Sequence, residues 1–176
     1  MAPLNNSDHL CGKVAVFIDA ANIIHCYKDT GWKIDLKKLK KYFEEKCTLT
    51  AIYYYSAYFE DNTRQQSFLE MLSRKGFILR TKKIKKIIDD GGNVMLKGNC
   101  DTDIVVDAVS SLENYDTAVL MSGDSDFVSL ANLLKGKNKK VVIISMRGHV
   151  AKELIQASDY YCPIDKFKEK WELKLP

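Results

Sequence analysis

The sequence predicts a three-layer α/β domain, in which a mostly parallel central sheet carries helices on both faces. Three short apolar runs rich in β-branched residues, at 13–18 (KVAVFI), 117–121 (TAVLM) and 140–145 (KVVIIS), are typical of strands buried on both faces. Segments with apolar residues at helical spacing separate them. Strands that alternate with helices favour a parallel sheet, because each crossover helix then packs on one of its faces.

Further strands and helices complete this pattern. Additional strands are predicted at 50–59, 77–88, 94–96 and 159–162, and helices at 20–29, 35–46, 62–74, 101–114, 125–136 and 148–157. The helix at 101–114 is expected to bury its apolar residues, which are Ile104, Val105, Ala108, Val109 and Leu112. The sequence DGGN at 90–93 is a turn signal, and it indicates either a small hairpin or an irregular excursion before 94–96.

Length and composition indicate one soluble domain. The 176 residues suffice for a proper core, and 46% apolar with 28% charged residues is an ordinary globular composition. We expect a flexible N-terminus at 1–12, the domain at 13–162 and a polar C-terminal extension at 163–176. The net charge of +4 is compatible with nucleic acid but does not imply it.

The cysteines and the apolar stretches indicate the cellular compartment of the protein. Five scattered cysteines without a C-x-x-C pair indicate reduced thiols rather than a disulfide framework or a zinc ribbon. The N-terminus does not read as a signal peptide, and the longest apolar stretch is interrupted by Asp19 and Asn22, so no membrane span is predicted. A cytoplasmic location is expected.

Acidic residues follow two of the buried strands directly. Asp19 ends the first run, and Asp124 and Asp126 come after Met121, with Gly123 permitting a turn. Ligands of open parallel sheets bind beyond the carboxyl ends of the strands. The alternative interpretation is that each acid caps or begins a helix, where free N–H groups favour carboxylates.

A third acidic group lies in KGNCDTDIVVD at 97–107. Asp101 is placed to cap the following helix, and Asp103 and Asp107 are one turn apart on the same helix face. A solvated helix face is the alternative, because Ser110 and Asn114 continue that stripe.

Taken together, the acids predict a cation site. Carboxylates gathered at one edge cannot all stay ionised unless a cation neutralises them. Oxygen ligands without His or Cys favour Mg²⁺ or Mn²⁺, which can activate water for phosphodiester cleavage. Neither a phosphate-binding loop nor a dinucleotide-binding motif is present, and no serine has a convincing His partner for a hydrolase triad.

Three motifs carry a family resemblance. FIDAAN (17–22), KGNCDTD (97–103) with Asp107, and SGDSDF (122–127) occur in this order in the NYN domain. Over roughly 13–162 the chain resembles that family, and in particular its LabA/DUF88-type branch, which is related to PIN-domain ribonucleases. The resemblance implies a PIN/NYN-like parallel sheet with Asp19 and Asp124 on adjacent central strands.

The resemblance also implies Mg²⁺-dependent RNA cleavage and a set of site residues. The positions that match metal ligands are Asp19, Asp101, Asp124 and Asp126, with Asp103 supplementing them. Asn22 would hold Asp19 or the substrate.

Several residues outside the acidic motifs are candidates for substrate binding. Lys82, Lys83 and Lys85 belong to a basic run at 80–86 that could follow an RNA backbone, although a solvated sheet edge explains it equally well. Lys97 is a candidate for a substrate phosphate, and Tyr58 for stacking on a base. His149, which lies near Arg147 in the sequence, is a further candidate for a phosphate contact.

Three functions remain open from the sequence. The first is a ribonuclease that binds RNA and Mg²⁺ or Mn²⁺, as a monomer or a homodimer, and cleaves by a metal-activated water. The second is a non-catalytic RNA-binding or regulatory domain, for which an acidic cluster that repels phosphate would bring no advantage. The third is another Mg²⁺-dependent phosphohydrolase. Toprim domains, however, have Glu where Asp19 stands, and HAD phosphatases need D-x-D where this chain has Asp19-Ala20-Ala21.

Overall fold

The computed structural model describes residues 9–88 and 94–174. The strands are β1 (Lys13–Asp19), β2 (Thr48–Tyr58), β3 (Ile78–Lys83), β4 (Lys85–Ile88), β5 (Val94–Lys97), β6 (Thr117–Met121), β7 (Lys140–Ser145) and β8 (Tyr160–Pro163). The helices are α1 (Ala20–Thr30), α2 (Leu36–Lys46), α3 (Thr63–Arg74), α4 (Asp101–Ser110), α5 (Val128–Gly136), α6 (Lys152–Ala157) and α7 (Lys168–Trp171).

Six strands form one parallel sheet in the order β3-β2-β1-β6-β7-β8. Strands β1 and β6 lie at its centre, and their side chains are almost entirely buried, as their continuous apolar sequences predict. Strands β4 and β5 pair antiparallel in a separate two-stranded sheet. The predicted central sheet is confirmed, and every pairing within it is parallel.

Helices cover both faces of the sheet and complete three layers. On one face α2 and α3 bury residues such as Phe43 and Leu72. On the other face α4, α5 and α6 bury residues that include Ile104, Leu134 and Leu154. The predicted three-layer α/β architecture is therefore confirmed.

Capping aspartates and a glycine set the ends of the first two helices. Asp19 and Asp35 cap α1 and α2, each accepting two backbone N–H hydrogen bonds. Gly31 ends α1 with a φ of 74°, in the left-handed region that glycine adopts without steric cost.

The predicted strand at 77–88 is two strands. β3 pairs with β2 only as far as Lys83, opposite the last residue of β2, Tyr58. The N–H of Ile84 still donates to the Tyr58 carbonyl at 2.9 Å, and the chain then enters β4, which pairs with β5. A hairpin-like sheet is therefore present, while the turn predicted at 90–93 lies outside the described residues.

Two helix predictions need correction. The helix expected at 148–157 begins only at Lys152, and α4 ends at Ser110, before a short 3-10 turn at 112–114. Val105 and Val109 do not face the core, because 36% and 38% of their surface is exposed. Only a narrow stripe of α4 packs on the sheet, and its buried residues are Ile104 and Ala108.

The segment after β8 differs from the polar extension that its sequence predicts. Its charged residues alternate with Ile164, Phe167 and Trp171, which are 1%, 2% and 0% exposed. The rings of Phe167 and Trp171 stack with centroids 3.9 Å apart, and both pack against Tyr42 of α2. At least as far as Trp171, this segment is part of the core.

The N-terminus is described from His9 onward. The ring of His9 stacks on Tyr160 of β8 with centroids 3.5 Å apart, so this residue lies on the domain although it belongs to the predicted flexible N-terminus. Within the described ranges, no helix has the length and apolar character that crossing a bilayer requires.

Candidate metal centre

The carboxyl ends of the two central strands open into an acidic cleft. Ile18 of β1 lies opposite Met121 of β6, so the segments that follow these residues leave the sheet side by side. The cleft has a volume of about 340 Å³, and its lining includes Asp19, Asn22 and Asp101. This is the edge at which parallel sheets bind their ligands.

Asp19 is held by three hydrogen bonds. Its Oδ1 accepts from the backbone N–H groups of Ala21 and Asn22 at 3.0 and 3.3 Å, and its Oδ2 accepts from Ser122 Oγ at 3.0 Å. Burial raises the pKa of Asp19, and the charge of Asp101 acts in the same direction, while the hydrogen bonds oppose both. The carboxylate is therefore fixed in position and incompletely solvated.

Asp124 also combines a capping role with a place in the cleft. Its Oδ1 accepts from the N–H of Asp126 at 3.0 Å, which begins the 3-10 turn at 125–127. Ser122 Oγ accepts from the N–H of Asp124 at 3.3 Å and so links Asp124 to Asp19. The capping interpretation of these acids and the site interpretation are thus compatible, because the caps set the direction of the carboxylates.

Asp101 is not a helix cap. It is the first residue of α4, whose cap position is taken by Cys100 without a side-chain hydrogen bond. Asn99 Oδ1 accepts from the N–H of Asp101 at 2.7 Å, and Asn99 Nδ2 donates to Asp101 Oδ2. Asn99 thus orients this carboxylate, a role that was missed in the sequence. The available signal was an Asn two residues before the first helical acid.

Three carboxylates converge beside the cleft, two of them, Asp101 and Asp124, being part of its lining. One oxygen from each of Asp101, Asp124 and Asp126 lies within 4.8 Å of the others. A Mg²⁺ ion holds oxygen ligands at about 2.0–2.1 Å, which places neighbouring ligands about 3 Å apart. The observed spacing therefore requires only small side-chain movements to enclose a divalent ion. Asp19 lies outside this group of three but lines the same cleft.

Gly123 brings the β7–α6 loop against the site. A Cβ atom at this position would lie 2.1 Å from the carbonyl oxygen of His149, and the N–H of Ala151 donates to the Gly123 carbonyl at 2.9 Å. Gly123 does not have a positive φ, so close approach, not the sharp turn expected from the sequence, requires glycine here. Nearby, Ser145 Oγ donates to Asn22 Oδ1 at 3.2 Å.

Comparisons with known proteins show the family of this chain. The sequence model of the NYN domain matches residues 13–165. The chain belongs to the NYN domain family. Low amplitude and bright protein LabA of Synechococcus elongatus is 32% identical to it over 171 residues, which cover 93% of this chain and 91% of LabA. The resemblance predicted from the three motifs is confirmed.

A solved structure supports the fold of this NYN domain. The crystal structure of a protein of unknown function from Vibrio parahaemolyticus RIMD 2210633 superposes with a TM-score of 0.77 and 24% sequence identity. The match covers 96% of this chain and 100% of that one. At this identity the likeness establishes the shared fold alone.

The predicted substrate-binding residues of the NYN domain do not form one surface. Lys82 points towards the acidic helix and pairs with Asp103, with Nζ and Oδ2 2.6 Å apart. Lys83 pairs with Glu60 on the opposite side of β3, and Lys85 is exposed at the start of β4. Lys97 ends β5, but its side chain lies outside the described part of the structure.

Tyr58 lies on the face of β2 opposite the cleft. Residues alternate between the two faces of a strand, and Tyr55 and Ala57 line the acidic cleft. Tyr58 instead packs against the core on the side of α3, beside Leu69. The structure therefore does not bring Tyr58 to the carboxylates.

Asp103 and Asp107, both predicted to lie on one face of α4, contact basic residues of β3. Asp103 pairs with Lys82, and Asp107 accepts hydrogen bonds from Arg80 and Tyr55. Neither residue belongs to the three converging carboxylates. The basic run and the acidic helix face, which looked independent in the sequence, are partners in the fold.

We expect Asp19→Asn to stabilise the metal-free NYN domain at neutral pH. Because the pKa of Asp19 is raised, the folded protein binds more protons than the unfolded chain between the two pKa values, and stability falls as pH rises through that window. Asn still caps α1 but carries no charge to desolvate. Thermal unfolding at several pH values in EDTA measures the effect, at about 2–4 °C in Tm for each kcal/mol.

The difference in Tm between variant and wild type should shrink as pH falls towards the unfolded-state pKa of an aspartate, about 3.9. A variant less stable than wild type at neutral pH would show that the charge of Asp19 is favourable in the folded state.

Proposed function

We propose that this NYN domain is a ribonuclease that depends on Mg²⁺ or Mn²⁺. The observation that carries the proposal is the convergence of the Asp101, Asp124 and Asp126 carboxylates within 4.8 Å at the carboxyl edge of the sheet. Cys100, which also lines the cleft, does not change the donor set, because burial raises the pKa of its thiol and disfavours the thiolate. Oxygen donors alone suit Mg²⁺ and Mn²⁺.

The acidic residues at the cleft would have different roles in such a reaction. Asp101, Asp124 and Asp126 would hold the cation, and Asp19 would complete the acidic wall opposite α4. A divalent cation here would supply an activated water and offset the charge that develops on the phosphodiester. Hydrolysis at this site would break the bond between phosphorus and the 3′-oxygen and leave a 5′-phosphate and a 3′-hydroxyl.

We expect Asn22 to position the substrate. Its Oδ1 accepts a hydrogen bond from Ser145 Oγ, which fixes the orientation of the amide, and the residue lines the cleft. This arrangement leaves the amide NH₂ as the group of Asn22 with which we expect a phosphate oxygen to interact.

The RNA backbone would reach the site along the β7–α6 loop. Two of the predicted lysine contacts are already neutralised, Lys82 by Asp103 and Lys83 by Glu60. Arg147 is exposed and has no ion pair among the residues that the structure describes. Its loop is fixed beside Asp124 through the contact between Gly123 and His149.

We expect Arg147→Ala to weaken RNA binding several-fold, because one phosphate contact is lost. The slope of log affinity against log salt concentration should fall in magnitude by about one. Binding is measured by fluorescence anisotropy in an Asp124→Asn background so that the RNA stays intact. Arg74→Ala is the matched control, since Arg74 lies on α3 and pairs with Glu70. Equal losses of RNA affinity in both variants would show that Arg147 does not contact the RNA backbone.

The functional test compares two phosphate substrates. We expect end-labelled single-stranded RNA to be cut with Mn²⁺ and to remain intact in excess EDTA, while a phosphomonoester is not hydrolysed. RNA binding without turnover in Mn²⁺ would favour the regulatory alternative, and hydrolysis of the monoester alone would favour a phosphohydrolase.

A further inference from the structure

Two ion pairs join the edge strand β3 to α4. Arg80 and Lys82 alternate along β3 and therefore project from the same face, while Asp103 and Asp107 are one helical turn apart. Arg80 pairs with Asp107, and Lys82 pairs with Asp103. These four residues, named the β3–α4 clamp below, cross from the sheet edge to the helix that carries Asp101.

The pair of Arg80 and Asp107, which is the farther of the two from Asp101, has the more directional hydrogen bonds. Arg80 Nε and Nη2 donate to the two carboxylate oxygens of Asp107 at 2.8 and 3.0 Å, a bidentate arrangement that fixes direction as well as distance. Tyr55 of β2, only 1% exposed, donates its hydroxyl to Asp107 Oδ2 at 3.0 Å. Asp107 is thus held by two strands of the sheet, and its side chain is 14% exposed.

The near end of the clamp reaches the metal centre. Lys82 Nζ donates to the backbone carbonyl of Asn99 at 3.2 Å, in addition to its pair with Asp103. Asn99 in turn orients the Asp101 carboxylate through its own side chain. A continuous chain of polar contacts therefore runs from β3 to a residue of the carboxylate cluster.

Apolar packing alone fixes α4 weakly. Its buried residues are Ile104 and Ala108, and the neighbouring Val105, Val106 and Val109 are between 36% and 55% exposed. A helix with so narrow an apolar contact can rotate or slide at little cost unless directional interactions oppose the movement. The bidentate pair and the hydrogen bond from Tyr55 are such interactions.

We propose that the β3–α4 clamp is a positioning device that sets Asp101 against Asp124 and thereby sets the affinity of the site for a divalent cation. The inference rests on the proposed metal centre but not on RNA cleavage. Lys82 and Asp103 accordingly serve the clamp, in place of the RNA contact and the metal ligation that their sequence positions suggested.

The test uses the sign of the change in Mn²⁺ affinity. Replacing Arg80 or Lys82 by Met removes a positive charge near an acidic site, so through-space electrostatics alone would tighten Mn²⁺ binding. Loss of the clamp instead displaces Asp101 and weakens binding. Removal of residues that orient metal ligands typically costs about 10–100-fold in metal affinity. We therefore expect the Mn²⁺ Kd of Arg80→Met and Lys82→Met to rise at least about tenfold.

Lys83→Met is the matched control, because Lys83 lies on the same strand but pairs with Glu60 and does not touch α4. Its Mn²⁺ Kd should stay unchanged or fall. Calorimetric titration of the full chain with Mn²⁺, without RNA, gives Kd, and circular dichroism confirms the fold of each variant. The partly exposed pair of Lys82 and Asp103 can be broken without opening the core, so Lys82→Met still tests the clamp if Arg80→Met unfolds.

The outcomes separate this inference from the proposed function. Unchanged or tighter Mn²⁺ binding in Lys82→Met would overturn the clamp even if the wild type cleaves RNA. Weaker binding in Lys82→Met, with Lys83→Met unaffected, would support the clamp even if no RNA is cut. A wild type that binds no Mn²⁺ would overturn the metal centre and the clamp together.

Discussion

Asp124→Asn is expected to abolish metal-dependent RNA cleavage while the fold persists. Asp124 is one of the three converging carboxylates, so its replacement removes a charged ligand from the centre of the site. Stabilisation by a bound metal is worth several kcal/mol in the transition state. Since 1.36 kcal/mol is a factor of ten in rate, a loss of about 4 kcal/mol corresponds to about a thousandfold slower cleavage.

The fold should tolerate this change because the local hydrogen bonds survive. The Oδ1 of an Asn at this position can still accept from the N–H of Asp126, and Asn is as good a cap as Asp. The measurement is single-turnover cleavage of labelled RNA in saturating Mn²⁺, with thermal unfolding as the check on folding. Asp165→Asn, which changes an exposed acid on the segment after β8, is the control and should cleave like wild type. Cleavage by Asp124→Asn at the wild-type rate would exclude this carboxylate from the reaction.

Gly123→Ala is expected to be among the most destabilising single-methyl additions in this domain. The new Cβ would lie 2.1 Å from the His149 carbonyl oxygen and 2.7 Å from Ser145 Oγ. The first of these atoms belongs to the backbone and can retreat only if the β7–α6 loop moves. Overpacking of this kind costs about 1–3 kcal/mol, occasionally more, so we expect a loss at the upper end of that range.

The same movement should impair the site. The loop carries Arg147 and ends at Ala151, whose N–H bonds the Gly123 carbonyl, and Gly123 directly precedes Asp124. Denaturant unfolding measures the stability loss, and Mn²⁺ titration measures the effect on the site. Gly136→Ala is the matched control, because no atom described outside its chain neighbours and its own helix backbone lies within 4 Å of the added Cβ, and Ala is favoured in a helix. If both variants were equally stable, the contact between Gly123 and His149 would not be tight in solution.

The central strands and the acids that follow them could be predicted from the sequence. A strand buried on both faces must be apolar throughout, so β1 and β6 stand out from their surroundings. The carboxyl ends of parallel strands lie at one edge of the sheet, and the family resemblance implied that the strands before Asp19 and Asp124 are adjacent, so these two acids could be expected near each other.

The surroundings of α4 could not be predicted in the same way. Its helical pattern contains more apolar residues than the sheet can cover, and periodicity alone does not say which of them face solvent. The partners of Asp107 are Tyr55 and Arg80, which are 52 and 27 residues away along the chain. Such contacts depend on the order of the strands in the sheet, and no local pattern encodes that order.

The partners of the basic run at 80–86 could not be predicted from a local sequence pattern either. From the sequence, Arg80 and Lys82 could be surface cations for RNA or charges that protect a sheet edge. The fold gives them acidic partners on α4, because β3 is the edge strand next to that helix. The role of Asn99 in orienting Asp101 could not be predicted for a related reason, since an Asn before a helix usually marks a turn or a cap.

The most direct test of the metal-dependent ribonuclease measures Mn²⁺ occupancy and RNA cleavage in the same samples. Mn²⁺ bound to the protein is counted by electron paramagnetic resonance while the single-turnover cleavage rate is recorded, for wild type and for Asp124→Asn. We predict that cleavage rises in proportion to the occupancy of a site that the wild type has and Asp124→Asn lacks. RNA cleavage that persists in EDTA, or Mn²⁺ binding that is equal in the two proteins, would contradict the account.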